Sequence, residues 1–243
     1  MQNEVGVIIV NDGSEVHLSQ EFLGGYPFKI DYHLNEHGGV SATRNACLDY
    51  ATADYIMFCD ADDMFYNACG LYIIFREIEK EEFDSLTSIF IEEVREKKTN
   101  KPIYISHPLD SIFVHGKVHR RQYLIDKNIR WNPTLTLHED GYFNKLCQKL
   151  SNNVKYCETP FYLWRWRNDS VCRHNGDFVM RTYAHLLDSN TCLIQEFLKR
   201  DLLEEAQSIT ASAFYNAYFS FNKESWLLPE NALYKENAEK RFK

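Results

Sequence analysis

Residues 55–63 read YIMFCDADD, a run of five uncharged residues that stops on three aspartates within four positions. Bulky uncharged residues in succession are typical of a strand buried on both faces of a parallel sheet, and such strands direct their C-terminal ends to ligand crevices. Three carboxylates this close repel one another and weaken the fold unless a cation offsets their charge. The stretch therefore predicts a divalent metal site at the end of a strand. The alternative is a turn that caps the next helix, although a single Asp would be enough for that.

Composition limits the classes of protein to which this 243-residue chain can belong. Its 44% hydrophobic content can bury one substantial core, in a single α/β domain or in a domain with an appendage. The formal charge of -8 argues against a nucleic-acid-binding surface, which needs clustered Lys and Arg. The seven cysteines contain no C-x-x-C pair, so they suit a reducing cytoplasm better than a disulfide framework or a zinc knuckle. The sequence shows no signal peptide and no apolar run of membrane-spanning length, so we expect a cytoplasmic protein without a transmembrane segment, and peripheral membrane contact stays open.

Asp12 follows the first predicted strand. Residues 5–10 read VGVIIV, an apolar and largely β-branched run, and the next four residues, Asn-Asp-Gly-Ser, are typical of a turn. This turn places Asp12 at the C-terminal edge of the sheet. Residues 28–34 predict a second, less buried strand, and a flexible loop begins at Asn35.

A helix is predicted after this loop, from Ser41 to Ala51, with Ser41 as its cap. The first N–H groups of a helix have no partner within the helix, and they point to whatever lies at its N-terminus. Such an end suits an anion, and Arg44 in the first turn adds positive charge. The segment therefore predicts an anion-binding helix terminus.

The rest of the sequence continues the alternation of helices and strands. Spacing and apolar runs predict helices at 68–82, 117–127 and 142–150, and strands at 86–94, 103–105, 112–114 and 154–157. Residues 134–137 run extended into the acidic pair Glu139 and Asp140, and residues 161–170 are aromatic and basic. From residue 176 onward the pattern is helical. We therefore predict an α/β domain at 1–176 and a helical C-terminal region at 177–243.

Together these segments resemble the family 2 inverting glycosyltransferases, which transfer a sugar from a nucleotide diphosphate sugar. The resemblance implies the GT-A fold, a Rossmann-like, mainly parallel sheet flanked by helices, and it spans residues 5–174. The matching residues, in family order, are Val10-Asn11-Asp12-Gly13-Ser14; Asn35, Gly38, Gly39, Ser41, Ala42, Arg44 and Asn45; Phe58-Cys59-Asp60-Ala61-Asp62-Asp63; His115-Gly116-Lys117 with Arg120-Arg121-Gln122-Tyr123-Leu124; Glu139-Asp140 with Phe143; and Tyr162 with Arg165, Arg167 and Ser170.

The sequence departs from the family pattern in two places. Family members usually have a strand and a helix ahead of the Asn-Asp-Gly-Ser turn, and these supply part of the nucleoside pocket, whereas this sequence starts almost at the turn. The resemblance therefore implies a nucleotide pocket that lacks one wall. Asp54 also stands where a Gly is usual, which matters little for chemistry.

The resemblance assigns the aspartates of residues 60–63 to a donor and metal site. Asp60 and Asp62 match the Asp-x-Asp motif of the family. Asp62 is the first choice of ligand for Mg²⁺ or Mn²⁺, with Asp60 as a further ligand nearer the ribose, because hard oxygen ligands suit both metals. Asp63 would orient the donor sugar or the metal, with a helix cap as its alternative.

Three further residues are implied to bind the donor. Asp12 would contact the nucleobase, although an ordinary Asx turn explains this residue equally well. Asn35 belongs to the same donor-binding set. Arg44 would lie by the diphosphate or the donor sugar, with a surface arginine on a helix as its alternative. His174 is a weaker candidate for an additional metal ligand.

The acidic pair and the basic segment are implied to supply the chemistry. Inversion by direct displacement needs a carboxylate within hydrogen-bond reach of the acceptor hydroxyl, and Asp140 is the expected general base with Glu139 as its neighbour. The alternative is that one of the two caps the following helix. Arg165, Arg167 and Ser170 would fold over the pyrophosphate and stabilise the departing charge, or they simply belong to a surface strand.

The sequence thus predicts a metal-assisted inverting glycosyltransferase. The expected donor is a UDP-sugar, and the expected acceptor is a hydroxyl of a carbohydrate or glycolipid, without nucleic acid as a partner. Two other classes stay open. One is a non-catalytic protein that keeps the fold and binds carbohydrate or a partner, and the other is a metal-dependent nucleotidyltransferase with a similar sheet.

Overall fold

The computed structural model of the protein describes residues 5–168, 170 and 178–242. The strands are β1 Gly6–Asp12, β2 Lys29–Asn35, β3 Tyr55–Met57, β4 Met64–Phe65, β5 Ser85–Arg95, β6 Pro102–His107, β7 Lys117–Arg120 and β8 Val154–Trp164. The helices are α1 Gln20–Gly24, α2 Val40–Tyr50, α3 Gly70–Lys80, α4 Arg121–Asp126, α5 Glu139–Lys149, α6 Phe178–Lys199, α7 Leu203–Phe221, α8 Glu224–Leu227 and α9 Ala232–Glu239.

The chain divides into two compact units. One unit comprises Met1–Thr136 and Phe143–Arg165, and the other comprises Leu137–Tyr142 and Trp166–Lys243. The domain boundary predicted between residues 176 and 177 lies outside the described residues, so that division stays a prediction.

The first unit contains two sheets. Strands β1 and β2 pair in parallel, with Asp12 opposite Asn35 at the end of the ladder. The larger sheet has the order β3-β7-β5-β8-β4, with β6 also paired to β5. Helix α2 packs on β1, and α3 packs on β8. Asp12 and Asn35 therefore end neighbouring strands at one edge of the smaller sheet.

Strand direction differs from the prediction of a mainly parallel sheet. Among the described strands, β1–β2 and β5–β8 are parallel, whereas the β3–β7, β5–β7, β5–β6 and β4–β8 pairs are antiparallel. Strand β7 accounts for two of these four antiparallel pairs, because it lies between β3 and β5 and runs against both.

The predicted helix at 117–127 is wrong in its first half. Its first four residues form strand β7, and only the residues of α4 are helical. The predicted strand at 112–114 is wrong as well, since these residues form bends. Two polar side chains of β7 are the reason why the sequence did not predict this strand. Lys117 is 1% exposed and donates to the Phe113 carbonyl, and His119 is fully buried beside the Ser85 hydroxyl at 3.0 Å. Buried polar groups with such partners are tolerated in a strand.

The main core lies between α3 and the larger sheet. Its fully buried side chains are those of Phe83, Leu86, Phe90, Phe161 and Tyr162. These residues come from both central strands, β5 and β8, and from the loop before β5, so burying them fixes the end of β8 next to the acidic turn at 60–63.

The second unit is mainly helical. Helix α6 packs on α7 and α9, and its core includes Met180, Tyr183, Leu187, Ala217 and Trp226. Within the described residues, no helix is both long enough and apolar enough to cross a membrane.

Candidate active site

Asp12 anchors the start of α2. Its two carboxylate oxygens accept the N–H groups of Gly38 and Gly39 at 2.8 and 3.0 Å, and Gly39 is the N-cap residue of the helix. Burial acts to raise the pKa of Asp12, but these two donors, the Thr43 hydroxyl and the charge of His37 outweigh it and lower the pKa. The carboxylate thus binds the N–H of the N-cap residue and the N–H of the residue before it.

The contacts in this region also test two local expectations, one for the turn after β1 and one for the cap of α2. In the turn after β1, the Oδ1 of Asn11 accepts the Ser14 N–H at 2.7 Å, whereas both Asp12 carboxylate oxygens accept from Gly38 and Gly39 instead of from the turn. The prediction that Ser41 caps the helix is wrong, because its hydroxyl donates to the Leu135 carbonyl at 3.3 Å.

Arg44 links α2 to the acidic turn. Its Nη2 lies 2.9 Å from Asp60 Oδ1, and its side chain is only 9% exposed. The guanidinium carbon lies 4.5 Å from the centre of the Trp131 ring, a geometry in which a cation is attracted to the aromatic face. The surface-arginine alternative is therefore wrong. Because the Asp60 side chain is 38% exposed, water screens the pair, and we assign it about 1 kcal/mol at most.

Asn45 fixes the ring on which Arg44 rests. Its amide nitrogen donates to the Trp131 carbonyl, and its Oδ1 accepts the Trp131 N–H, both at 2.9 Å. On its other side the indole stacks on Phe143, with ring centres 4.1 Å apart and planes at 3°. The arginine is thus held on a rigid, buried platform.

Asp63 is the most buried acid of the turn, with a side chain that is 1% exposed. Its Oδ2 accepts the Tyr162 hydroxyl at 2.6 Å, and its Oδ1 accepts the Arg165 N–H at 2.9 Å. Burial raises the pKa of Asp63 to about 6 against the effect of these two donors, and the charges of Asp60 and Asp62 add to the increase. Asp63 does not cap a helix, since α3 begins seven residues later at Gly70.

Tyr162 joins the two ends of the acidic turn. The hydroxyl oxygen of Tyr162 also accepts a hydrogen bond from the Asp60 N–H at 3.3 Å, while the hydroxyl group donates its own hydrogen bond to Asp63. The ring is fully buried at the end of β8, and burial raises the pKa of the phenol far above its usual range. Tyr162 is therefore a permanent donor that sets the shape of the turn.

Three of the described side chains are arranged so that they could share one cation. Ligand atoms of Asp60, Asp63 and His115 lie within 4.8 Å of one another, and His115 Nδ1 is 3.7 Å from Asp63 Oδ2. Two carboxylates and an imidazole form a donor set that suits Mn²⁺, and the carboxylates alone suit Mg²⁺. A cation would also offset the acidic charge that raises the pKa of Asp63. Asp62, the first ligand implied by the Asp-x-Asp motif, is half-buried in the same turn but is not one of these three.

Glu139 and Asp140 open α5 in the second unit. Acids in the first turn are favoured by the positive end of the helix dipole. The residues before them do not form the predicted extended segment, because 136–138 are bends and His138 has a left-handed backbone with φ of 60°. The pair therefore follows a tight, irregular turn rather than a strand.

The structure brings some of the predicted residues together and leaves others apart. Arg44, Asp60, Asp63 and the backbone of Arg165 meet at the acidic turn. Arg167, which is exposed, and Ser170 belong to the second unit. His174 lies outside the described residues.

Sequence reasoning assigned no role to several residues that build this site. His115, Asn45 and Tyr162 were part of the family pattern, which is the signal that could have directed attention to them. Trp131 was not part of this pattern, because its role in the site depends on its contacts with residues of α2 and α5.

Comparison with known proteins identifies the family. The family model for glycosyl transferase family 2 matches residues 2–162. This chain belongs to glycosyl transferase family 2. The prediction of a family 2 glycosyltransferase is thereby confirmed, and family membership makes the chain a relative of sugar-transferring enzymes.

Two curated proteins are similar to parts of this chain. Glycosyltransferase GlyA of Streptococcus pneumoniae is 27% identical over 194 residues, which is 70% of this chain and 27% of that protein. Minor teichoic acid biosynthesis protein GgaB of Bacillus subtilis is 41% identical over 64 residues, 25% of this chain and 7% of that protein. The chain therefore spans well under half the length of these relatives.

Solved structures show the same fold. The crystal structure of S. aureus TarS 1–349 matches with a TM-score of 0.69 at 19% identity, covering 98% of this chain and 71% of that one. Mannosyltransferase PcManGT from Pyrobaculum calidifontis, solved with GDP-Man and Mn²⁺, matches with a TM-score of 0.53 at 11% identity. The α/β GT-A fold with C-terminal helices is thus confirmed.

Proposed function

We propose that this family 2 chain is an inverting glycosyltransferase that moves a sugar from a UDP-sugar to an acceptor hydroxyl. The observation that supports it most is the acidic turn itself. Asp60 and Asp63 are held at fixed positions by Arg44 and Tyr162, next to His115, so that charge is concentrated where a divalent cation and a diphosphate can be bound. The match to TarS, which has been solved in complex with UDP and with UDP-GlcNAc, supports the choice of donor.

The acceptor follows from the relatives in the same way. The names of GgaB and GlyA associate the family 2 relatives with teichoic acid biosynthesis and with glycosyl transfer. We therefore propose a carbohydrate or glycolipid hydroxyl as the acceptor.

Different residues of the chain have different roles in the proposed transfer reaction. Asp140 takes the proton of the acceptor hydroxyl while the acceptor oxygen bonds to the anomeric carbon, and the bond from that carbon to the diphosphate oxygen breaks on the opposite face. Arg44, whose side chain pairs with Asp60, and Arg165, whose backbone N–H binds Asp63, are the basic residues that stabilise the departing diphosphate in this proposal. Mg²⁺ or Mn²⁺ held by Asp60, Asp62, Asp63 and His115 would neutralise part of the same charge.

The proposal is tested by nucleoside diphosphate release. The purified chain is incubated with Mn²⁺ and a panel of nucleotide sugars, and release is compared with that of Asp62→Ala and of Asp126→Asn, an exposed acid at the end of α4 that serves as control. We expect release from a UDP-sugar, a loss of about 100-fold in Asp62→Ala, and no change in the control. Donor binding without release by the native chain would favour the non-catalytic alternative.

A further inference from the structure

His138 has a backbone conformation that is unusual for its residue type. Its φ of 60° lies in the left-handed region, which side-chain-bearing residues seldom occupy and in which His is one of the enriched types. It directly precedes Glu139 and Asp140, the first two residues of α5. Backbone strain of this kind persists only where surrounding contacts hold it, and it concentrates at functional sites.

Three hydrogen bonds hold His138 in place. The imidazole Nε2 lies 3.0 Å from the Thr182 hydroxyl, and the His138 carbonyl accepts the Ser189 hydroxyl at 2.9 Å. The same carbonyl accepts the Tyr142 N–H at 3.3 Å, which closes the first turn of α5 around the acidic pair. One residue is therefore fixed through its side chain and through its backbone at once.

Both anchoring hydroxyls belong to α6. Thr182 is 6% exposed and Ser189 is 4% exposed, and their spacing of seven residues puts them on the same face of the helix, two turns apart. Between them, Tyr183 and Leu187 pack into the core of the second unit. Helix α6 thus presents two buried hydroxyls to one residue from a rigid support.

We propose that His138 is a positioning residue for Asp140, fixed by Thr182 and Ser189 of α6, so that the C-terminal helices set the direction of the base. This inference rests on the proposed function, because it takes Asp140 as the general base. It assigns to the helical unit a role in transfer that the sequence did not indicate. Placement of a catalytic group to within about 1 Å can change a rate about 100-fold, so the anchors matter even though they do not touch substrate.

Removing each anchor tests the proposal. Thr182→Val and Ser189→Ala delete one hydroxyl each, and Thr191→Val is the matched control, because the Thr191 hydroxyl donates to the Leu187 carbonyl of its own helix. We expect kcat to fall about 10- to 100-fold in the two anchor variants, with KM for the donor within about 2-fold of the native value. Thr191→Val should match the native enzyme. Equal kcat values in the anchor variants and the control would overturn the proposal.

The backbone of His138 gives a second readout. His138→Gly keeps access to the left-handed region, whereas His138→Ala does not, so the Gly variant should retain more activity although both lack the imidazole. Amide hydrogen exchange of Tyr142, whose N–H donates to the His138 carbonyl, needs no turnover and should accelerate in Thr182→Val but not in Thr191→Val. Unchanged exchange in Thr182→Val would contradict the anchoring role.

An Asp140→Asn background separates this inference from the proposed function. If Thr182 acts through Asp140, Thr182→Val should lower the rate of the native enzyme and leave the residual rate of Asp140→Asn unchanged. A further loss in that background would mean that Thr182 acts elsewhere. If Asp140→Asn alone keeps full activity, the proposed base is wrong; if it is inactive while both anchor variants are active, only the positioning role fails.

Discussion

Substitution of Tyr162 by Phe is the sharpest test of how the acidic turn is held. The change removes one hydroxyl from a fully buried ring and leaves its packing intact. That hydroxyl donates to Asp63 at 2.6 Å, so Asp63 Oδ2 would lose its short hydrogen bond in an environment where its side chain is 1% exposed. The cost should depend on whether Asp63 is charged.

The size of the effect follows from the pKa of Asp63, about 6. At pH 5 the carboxyl is mostly protonated, and a hydrogen bond between neutral groups contributes about 1 kcal/mol; at pH 8 it is ionised, and a bond to a charged group contributes about 1.5–3 kcal/mol. We therefore expect the destabilisation by Tyr162→Phe to grow by about 1 kcal/mol between pH 5 and pH 8.

The raised pKa of Asp63 also makes its own contribution to stability depend on pH. Because its folded-state pKa is raised above the ordinary 3.8, its contribution to stability is present below about pH 4 and is lost as the pH rises through 6. The interval between 3.8 and about 6 corresponds to a loss of about 3 kcal/mol. Removing the Tyr162 donor raises the pKa further and extends this loss to higher pH.

The assay is denaturant unfolding at several pH values, with Tyr123→Phe as the matched control. Tyr123 is also buried, at 2% exposure, but its hydroxyl donates to the Cys147 carbonyl at 2.7 Å, an acceptor that does not titrate. The cost of Tyr123→Phe should be about 1 kcal/mol at every pH. A cost of Tyr162→Phe that is equally flat between pH 5 and pH 8 would refute the reasoning.

Three further substitutions test the supports of the site. Asn45→Ala removes both backbone hydrogen bonds to Trp131 and should lower the free energy of unfolding by about 1–3 kcal/mol, measured with denaturant. Asp12→Asn should cost about 1 kcal/mol at pH 7, and this cost should shrink as the pH falls below 3.8, because a lowered pKa gives stability that is lost on acidification; pH-dependent melts that show a constant cost would contradict this. Gly116→Ala should cost about 1–3 kcal/mol because φ is 63°, while Gly6→Ala, with open space, should be neutral in the same melts.

The sequence predicted those helices and strands that are indicated by a local pattern of apolar and polar residues. The run at 55–63 does contain a strand followed by an acidic turn, since an apolar stretch followed by aspartates needs no distant partner to be recognised. The C-terminal helices follow from helical spacing in the same way. The predicted burial on both faces of a parallel sheet is wrong, because β3 covers only Tyr55–Met57, is half-buried and pairs antiparallel with β7 at the end of the strand order. Strand β7 could not be predicted, because Lys117 and His119 read as solvent-facing residues until their buried partners are known.

The geometry of the site depends on contacts between residues far apart in sequence. Tyr162 reaches Asp63 across 99 positions, and no local pattern indicates that this ring will approach that acid. The left-handed turn at His138 is equally hidden, since Thr182 and Ser189, which hold it, lie on a helix that begins 40 residues later. Residue types at the site were therefore predictable, whereas the supports that orient them were not.

Asp140 is the proposed base of a sugar transfer from a nucleotide sugar, and the Asp140→Asn variant tests this role. Donor affinity and nucleoside diphosphate release are measured on the same preparations, with saturating Mn²⁺ and a UDP-sugar. We expect Asp140→Asn to bind the donor as the native enzyme does but to release nucleoside diphosphate at least about 100-fold more slowly. Release at the native rate by a folded Asp140→Asn variant would contradict it.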